Sequence, residues 1–345
     1  MKNIKKIILI IALVVIAGVV AFFLLNGGKN KSKDKNKLQV VASNFASYDF
    51  LKAIIGNSEN VELTFLMGPG KDAHSYEPTS GDLITIQNAD LFVYIGGEME
   101  QWSEKVLESL ENKKDNIICI AEYVDTIEEK EIDGTEEEEE HHHDHEESEE
   151  HDDEHKHEGS EEHEHEEGAF DEHIWTSPTN AIKMVNKLES AMEGIDKDNS
   201  KKYKENAESY IAKIKEVDNK IQEIVKNKKR NRLVFGDKMP MQYFIDYYKL
   251  DVTAAFNGCS TETEPSAKTI AYIESKLKEE KIPVVLYIEL NDGRVAKTIA
   301  DEVGNGCQAL QIQALHNVSL DDFNKGETWV SLMNRNVEVL KKALQ

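Results

Sequence analysis

The sequence predicts an α/β protein of two Rossmann-like lobes with mostly parallel sheets, joined by a long rigid helix. Short β-branched runs recur along the chain and each is followed by a helical pattern, the alternation that lays helices over parallel strands. One unbroken stretch of helical periodicity divides these runs into two sets. The length of 345 residues suits two ordinary cores better than one.

In the first set the strand candidates are residues 38–42 (LQVVA), 61–67 (VELTFLM), 90–95 (DLFVYI) and 117–120, with helical patterns near 47–55, 79–87 and 99–110. In the second they are residues 232–235 (RLVF), 251–255, 283–288 (PVVLYI) and 309–315 (ALQIQAL). Between the sets, Ala207, Ile211, Ile214, Val217, Ile221 and Ile224 recur at spacings of three and four across residues 201–229. At 1.5 Å per residue this is one face of an amphipathic helix about 40 Å long. Neither Gly nor Pro interrupts it, so it reads as a stiff spine. These patterns divide the chain into a first lobe (38–178), a linking helical segment (179–230) and a second lobe (231–345), behind residues 1–37.

Residues 7–25 carry no charge. At helical rise they span roughly 28 Å, near bilayer thickness, and read as an uncleaved membrane anchor with a cleaved signal as the alternative. Lys29, Lys31, Lys33, Lys35 and Lys37 follow as a spacer. By the positive-inside rule these lysines would keep the body in the cytoplasm, but large domains translocate largely regardless of flanking charge. The expected location is extracytoplasmic, tethered by the amino terminus.

The chain has 41 Lys+Arg, 66 Asp+Glu and a net charge of −25, which excludes nucleic acid as a partner. Most of that charge is local. Residues 136–167 hold 19 acids, one Lys and nine His: His141, His142, His143, His145, His151, His155, His157, His163 and His165. With no apolar residue the run cannot fold around a core and is expected to be disordered. Neutral imidazole suits Zn²⁺, Cu²⁺ and Ni²⁺, and carboxylates concentrate cations. The run therefore reads as a weak collector of several ions rather than an inert linker.

Only His74, His173 and His316 lie elsewhere. His74 follows the strand VELTFLM through a Gly-Pro-Gly loop, and His316 follows ALQIQAL. His173 precedes Trp175-Thr-Ser-Pro178, a helix start with Pro in the first turn. In open α/β sheets ligands bind beyond the carboxyl ends of strands. Asp237 occupies the same kind of position, after Arg232-Leu-Val-Phe-Gly236. A lone His in a loop is more often simply hydrogen-bonded. Three of them with a carboxylate compose a tetrahedral zinc donor set.

The stretch GPGKDAHSYEPTSGDLITIQNADLFVYIGGEMEQW (68–102) resembles the first-lobe signature of the cluster A-I metal-binding solute-binding proteins of ABC transporters. DEHIWTSPTNA (171–181), directly after the acidic run, resembles the segment supplying their second ligand. FGDKMPMQYFIDYYKLDVTAAFNGCSTETEPSAKTIA (235–271) and the segment from His316 to Leu344 resemble their second lobe. The resemblance covers residues 38–345. It implies that His74, His173 and His316 are ligands and puts Asp237, with Gly236 before it, where the family usually has His or Glu. The fourth donor is therefore Asp237, water, or Glu262 or Glu264 of the following loop, with Glu77 a weaker candidate. Three imidazoles and one carboxylate favour Zn²⁺ over Mn²⁺.

Cys259 and Cys307 both fall in the second lobe, where a disulfide is expected outside the cytoplasm. The His-Glu-x-x-His pattern and the Walker and Rossmann glycine patterns are absent, so no enzyme is expected. The sequence thus points to a monomeric zinc-binding protein that passes Zn²⁺ to an ABC permease. A manganese binder, a surface metal buffer or adhesin and, last, a zinc hydrolase are the alternatives.

Overall fold

The computed structural model describes residues 37–108, 110, 116–130, 132, 170–258 and 264–345. The apolar amino-terminal segment, the acidic His-rich run, Cys259 and Glu262 lie outside these residues. No helix among the described residues is long and apolar enough to cross a membrane.

In the first lobe, strands β1 (Leu38–Ala42), β2 (Val61–Phe65), β3 (Leu91–Tyr94) and β4 (Ile117–Cys119) form a parallel sheet in the order β2-β1-β3-β4. Helices α1 (Phe45–Ile55), α2 (Ser80–Gln87) and α3 (Trp102–Glu108) connect them. Asn44 caps α1 through Ser47 N, and Thr79 with Asp82 forms a capping box on α2, each satisfying amides that a helix leaves unpaired at its start.

After a short 3₁₀ turn (Ile174–Thr176), α4 (Pro178–Ile195) begins with Pro in its first turn, and α5 (Ser200–Lys226) is the long helix. Ala207, Ile214, Val217, Ile221 and Ile224 are buried along α5, joined by Tyr203 and Tyr210. Ile211 is only half-buried, at the flank of the seam. Each buried Ile or Val contributes about 1.5–3 kcal/mol, so the packed face holds α5 against its neighbours.

The second lobe repeats the first in strand order. Strands β5 (Arg232–Lys238), β6 (Asp251–Phe256), β7 (Val284–Tyr287) and β8 (Gln308–Gln311) form a parallel sheet β6-β5-β7-β8. Helices α6 (Gln242–Tyr248), α7 (Ala267–Glu279) and α8 (Arg294–Val303) cross between strands, and α9 (Leu320–Lys325) and α10 (Trp329–Leu344) end the chain. Helix α10 packs along α5, as do α1 and α4. Asp49 of α1 ties these elements together: its carboxylate accepts the Tyr210 hydroxyl from α5 and, at 2.8 Å, the amide of Trp329 at the start of α10.

Strand β8 ends at Gln311, earlier than the apolar run 309–315 suggests. The backbone explains the difference. Ile312 N still reaches Tyr287 O at 2.9 Å, but Gln313 N donates to Asn336 Oδ1, and Ala314 N and His316 N donate to the Glu289 carboxylate. Side chains take the donors that a sheet ladder would use, so the chain leaves the sheet before His316.

Candidate metal centre

The loops beyond the carboxyl ends of the two sheets face each other. In the first lobe, β2 leads into Gly68-Pro-Gly70, where both glycines have left-handed backbone (φ 74° and 77°) that other residues adopt at a cost. The turn brings Gly70 N within 2.8 Å of Val318 O of the second lobe. Asn317, fully buried, donates to Gly68 O and Lys71 O from the other side. The loop then carries His74, whose amide donates to Asp72 Oδ1 at 2.9 Å.

His173 is fully buried. Its amide donates to Asp171 Oδ1 at 2.8 Å, and its Nδ1 lies 3.1 Å from the same oxygen. A carboxylate accepts only, so Nδ1 carries the hydrogen and the lone pair is on Nε2. Trp175 supports the ring edge-on at 5.5 Å between centroids, and its indole N–H donates to Ala314 O across the lobes. His316 is 9% exposed, and its amide is held by Glu289 Oε1 at 2.7 Å.

The three rings converge. Ring centroids of His74, His173 and His316 are separated by 5.7, 4.7 and 5.3 Å, and one nitrogen from each lies within 4.8 Å of the others. Among the described residues these three make the only such group of metal-capable side chains. All three Nε2 atoms are buried without a hydrogen-bond partner. A buried polar atom left unpaired costs about 1–3 kcal/mol, and three converging rings that each hold one fit a common cationic partner. A tetrahedral Zn²⁺ with bonds near 2 Å would set its donors roughly 3.4 Å apart, a modest contraction of this triangle.

The electrostatics suit a cation. Burial, then the neighbouring His173, lowers the affinity of His74 for a proton. Burial, then His173 and His74, pushes His316 well below the ordinary range. Burial also pulls His173 down, but the Asp171 charge and hydrogen bond outweigh it and leave His173 raised. At least two of the rings are thus held in the neutral form that coordination needs.

Asp237 does lie at the carboxyl end of β5, but outside this group. It is buried, and both oxygens are engaged: Oδ2 accepts Ile288 N at 3.0 Å, and Oδ1 accepts Lys238 N at 2.8 Å and Asn291 Nδ2 at 3.0 Å. Burial nevertheless leaves its carboxyl raised. At Gly236 a Cβ would come within 2.9 Å of Ala296 Cα in α8, so no larger residue fits there without backbone movement. Glu77 is exposed and Glu264 pairs with Arg294 at the surface, both outside the group.

Two residues that shape the site escaped the sequence reading. Asp171 stands two before His173, a spacing that could have flagged an orienting carboxylate. Glu289 lies two residues past β7, where the strand order reverses between β5 and β7 and ligand crevices form. Burial pushes Glu289 up to about 7 against the backbone amides of Ala314, His316 and Asn317.

Two lobes with equivalent sheets, a long helix packed behind them and three imidazoles converging between them define a two-lobed solute-binding protein of the metal-binding class. The chain belongs to the family described as zinc-uptake complex component A, periplasmic (ZnuA), which it matches over residues 40–343. It is 31% identical over 330 residues to the zinc-binding lipoprotein AdcA of Streptococcus pneumoniae, covering 95% of this chain and 60% of that protein. The chain therefore spans about 60% of the length of such AdcA relatives. It is 29% identical over 333 residues to the high-affinity zinc uptake system protein ZnuA of Bacillus subtilis, covering 94% and 96% of the two chains. The Zn(II)-bound ZnuA-like domain of S. pneumoniae AdcA superposes with a TM-score of 0.67 at 27% identity, covering 89% of this chain and 99% of that one. The metal-dependent lipoprotein YcdH of B. subtilis does so at 0.69 and 25%, with the same coverage.

Proposed function

We propose that this chain binds Zn²⁺ between its lobes, outside the cytoplasm, and delivers it to an ABC permease for uptake. One observation carries the reading: His74, His173 and His316 bring ring nitrogens within 4.8 Å of one another at the junction of the lobes, and the Nε2 of each is buried without a hydrogen-bond partner. His74, His173 and His316 are the proposed donors, two from the first lobe and one from the second. Their chemistry favours Zn²⁺ over Mn²⁺, which prefers harder oxygen donors. The family membership and the zinc named in its relatives support the same ion. With both Asp237 oxygens engaged by N–H donors, the proposed role of Asp237 is to brace the strand ends of the second lobe.

The rest of the reading involves residues outside those described, together with Cys307. Residues 136–167 are proposed to collect ions weakly near the site, residues 7–25 to tether the protein to the membrane, and Cys259 to bridge Cys307. A bridged protein, denatured without reductant, exposes one alkylatable thiol rather than three. The central test is a calorimetric zinc titration of the full chain and of a variant lacking residues 136–167. One tight equivalent is expected in both, with weak equivalents only in the full chain. Loss of the tight equivalent in the deletion variant, or Mn²⁺ displacing Zn²⁺ at equal concentration, overturns the proposal.

A further inference from the structure

The segment that carries His316 is held from behind by one carboxylate. Glu289 is 6% exposed; its Oε2 accepts Ala314 N and its Oε1 accepts His316 N, both at 2.7 Å. Leu315, between those two amides, has left-handed backbone (φ 61°), and so does Leu290 beside Glu289 (φ 64°). Leucine adopts that conformation only where its surroundings enforce it. Here it turns alternate amides the same way, the concave arrangement that receives an anion. The acceptor here is the protein's own carboxyl group. The opposite side of the segment is fixed by Trp175 Nε1 donating to Ala314 O at 2.9 Å, and Trp175 packs against His173.

Resting on the reading of His316 as a zinc donor, we propose that Glu289 is a positioning residue for the metal site, clamping the Ala314–His316 backbone so that the His316 ring meets His74 and His173. Glu289 does not itself join the group of converging donors. Its effect on the ion passes through one imidazole. Partners of this kind, one bond removed from a metal ligand, change affinity by about 10–100-fold when lost.

The test measures zinc affinity of the tight site in the full chain by competition with a chromophoric chelator, for wild type, Glu289→Gln, His316→Ala and the double variant. Glu289→Gln keeps the side-chain shape but sets an NH₂ group against a backbone N–H. The expected result is a loss of about 10–100-fold in the wild-type background and less than about threefold when His316 is already Ala. The melting temperature of the metal-free protein should stay within a few degrees of wild type, which a purely structural role would not allow. Wild-type affinity in Glu289→Gln, or an equal loss in both backgrounds, overturns the proposal. If Glu289→Gln does not fold, Glu289→Asp, which keeps the charge but shortens its reach, is read by the same criterion. A His316→Ala variant that binds zinc like wild type would instead overturn the ligand reading beneath it.

Discussion

The two lobes share a strand order yet contribute to the centre differently. The first sends two imidazoles on loops, each amide tied to a nearby Asp: Asp72 for His74 and Asp171 for His173. The second offers a carboxylate at a strand end and an imidazole on an irregular segment. Its Asp237 is occupied by Ile288 N, Lys238 N and Asn291 Nδ2, while His316 depends on Glu289. A carboxylate beyond a strand can be engaged by N–H donors instead of joining the imidazoles. What decides is whether its lone pairs face the cleft or meet the backbone amides that the strand leaves unpaired.

The contrast can be broken at several points. The largest effect is expected from His74→Ala, which should abolish the tight zinc equivalent in calorimetry, whereas His142→Ala should leave it intact. If both variants kept the tight ion, the first lobe would not be the anchor of the site. Next comes the link between lobes. Burial raises Asp49 to about 6, against hydrogen bonds from Tyr210 and Trp329 and the charge of Lys52. An unfolded Asp titrates near 3.9, so the folded protein holds this proton more tightly. Its contribution is fully present below about pH 4 and is lost as pH rises through about 6, by at most roughly 3 kcal/mol. Urea midpoints across that range should fall less for Asp49→Asn than for wild type; parallel curves would deny Asp49 this role.

A smaller loss should follow from Asp171→Asn, which frees the Nδ1 side of His173 to reorient. Zinc affinity should drop about 10–100-fold by chelator competition, and an unchanged value would mean Trp175 alone orients the ring. The smallest change is expected from Asp237→Asn: less than about tenfold in zinc affinity, with a stability loss near 1–3 kcal/mol from the disturbed amides. A zinc loss as large as that of His316→Ala would make Asp237 the fourth donor.

Much of this was legible because it is written in short-range pattern. The β-branched runs fall on seven of the eight strands among the described residues almost as they stand, and Pro178 starts α4 as its position suggests. The strand at 309–315 is the instructive exception. Its alternating apolar residues look like a ladder, but Asn336 and Glu289 claim its amides, and both come from distant parts of the chain. Hydropathy carries no record of that competition. His74, His173 and His316 could be picked out because the other nine histidines crowd one acidic run. The roles of Asp171 and Glu289 could not, since each is defined by the atom it faces.

By itself the sequence determined the alternation of strands and helices, the long helix between two sets of them, and the supply of imidazoles beyond strand ends. Hydrophobic period and turn residues act over a few positions, so they survive in the linear text. Tertiary structure alone decided that three imidazoles from separate segments come together with their Nε2 atoms buried, that Asp237 meets N–H donors, and that Glu289 holds the backbone amide of His316. Those outcomes depend on where every buried donor and acceptor finds its partner, and that accounting closes only when the chain is folded.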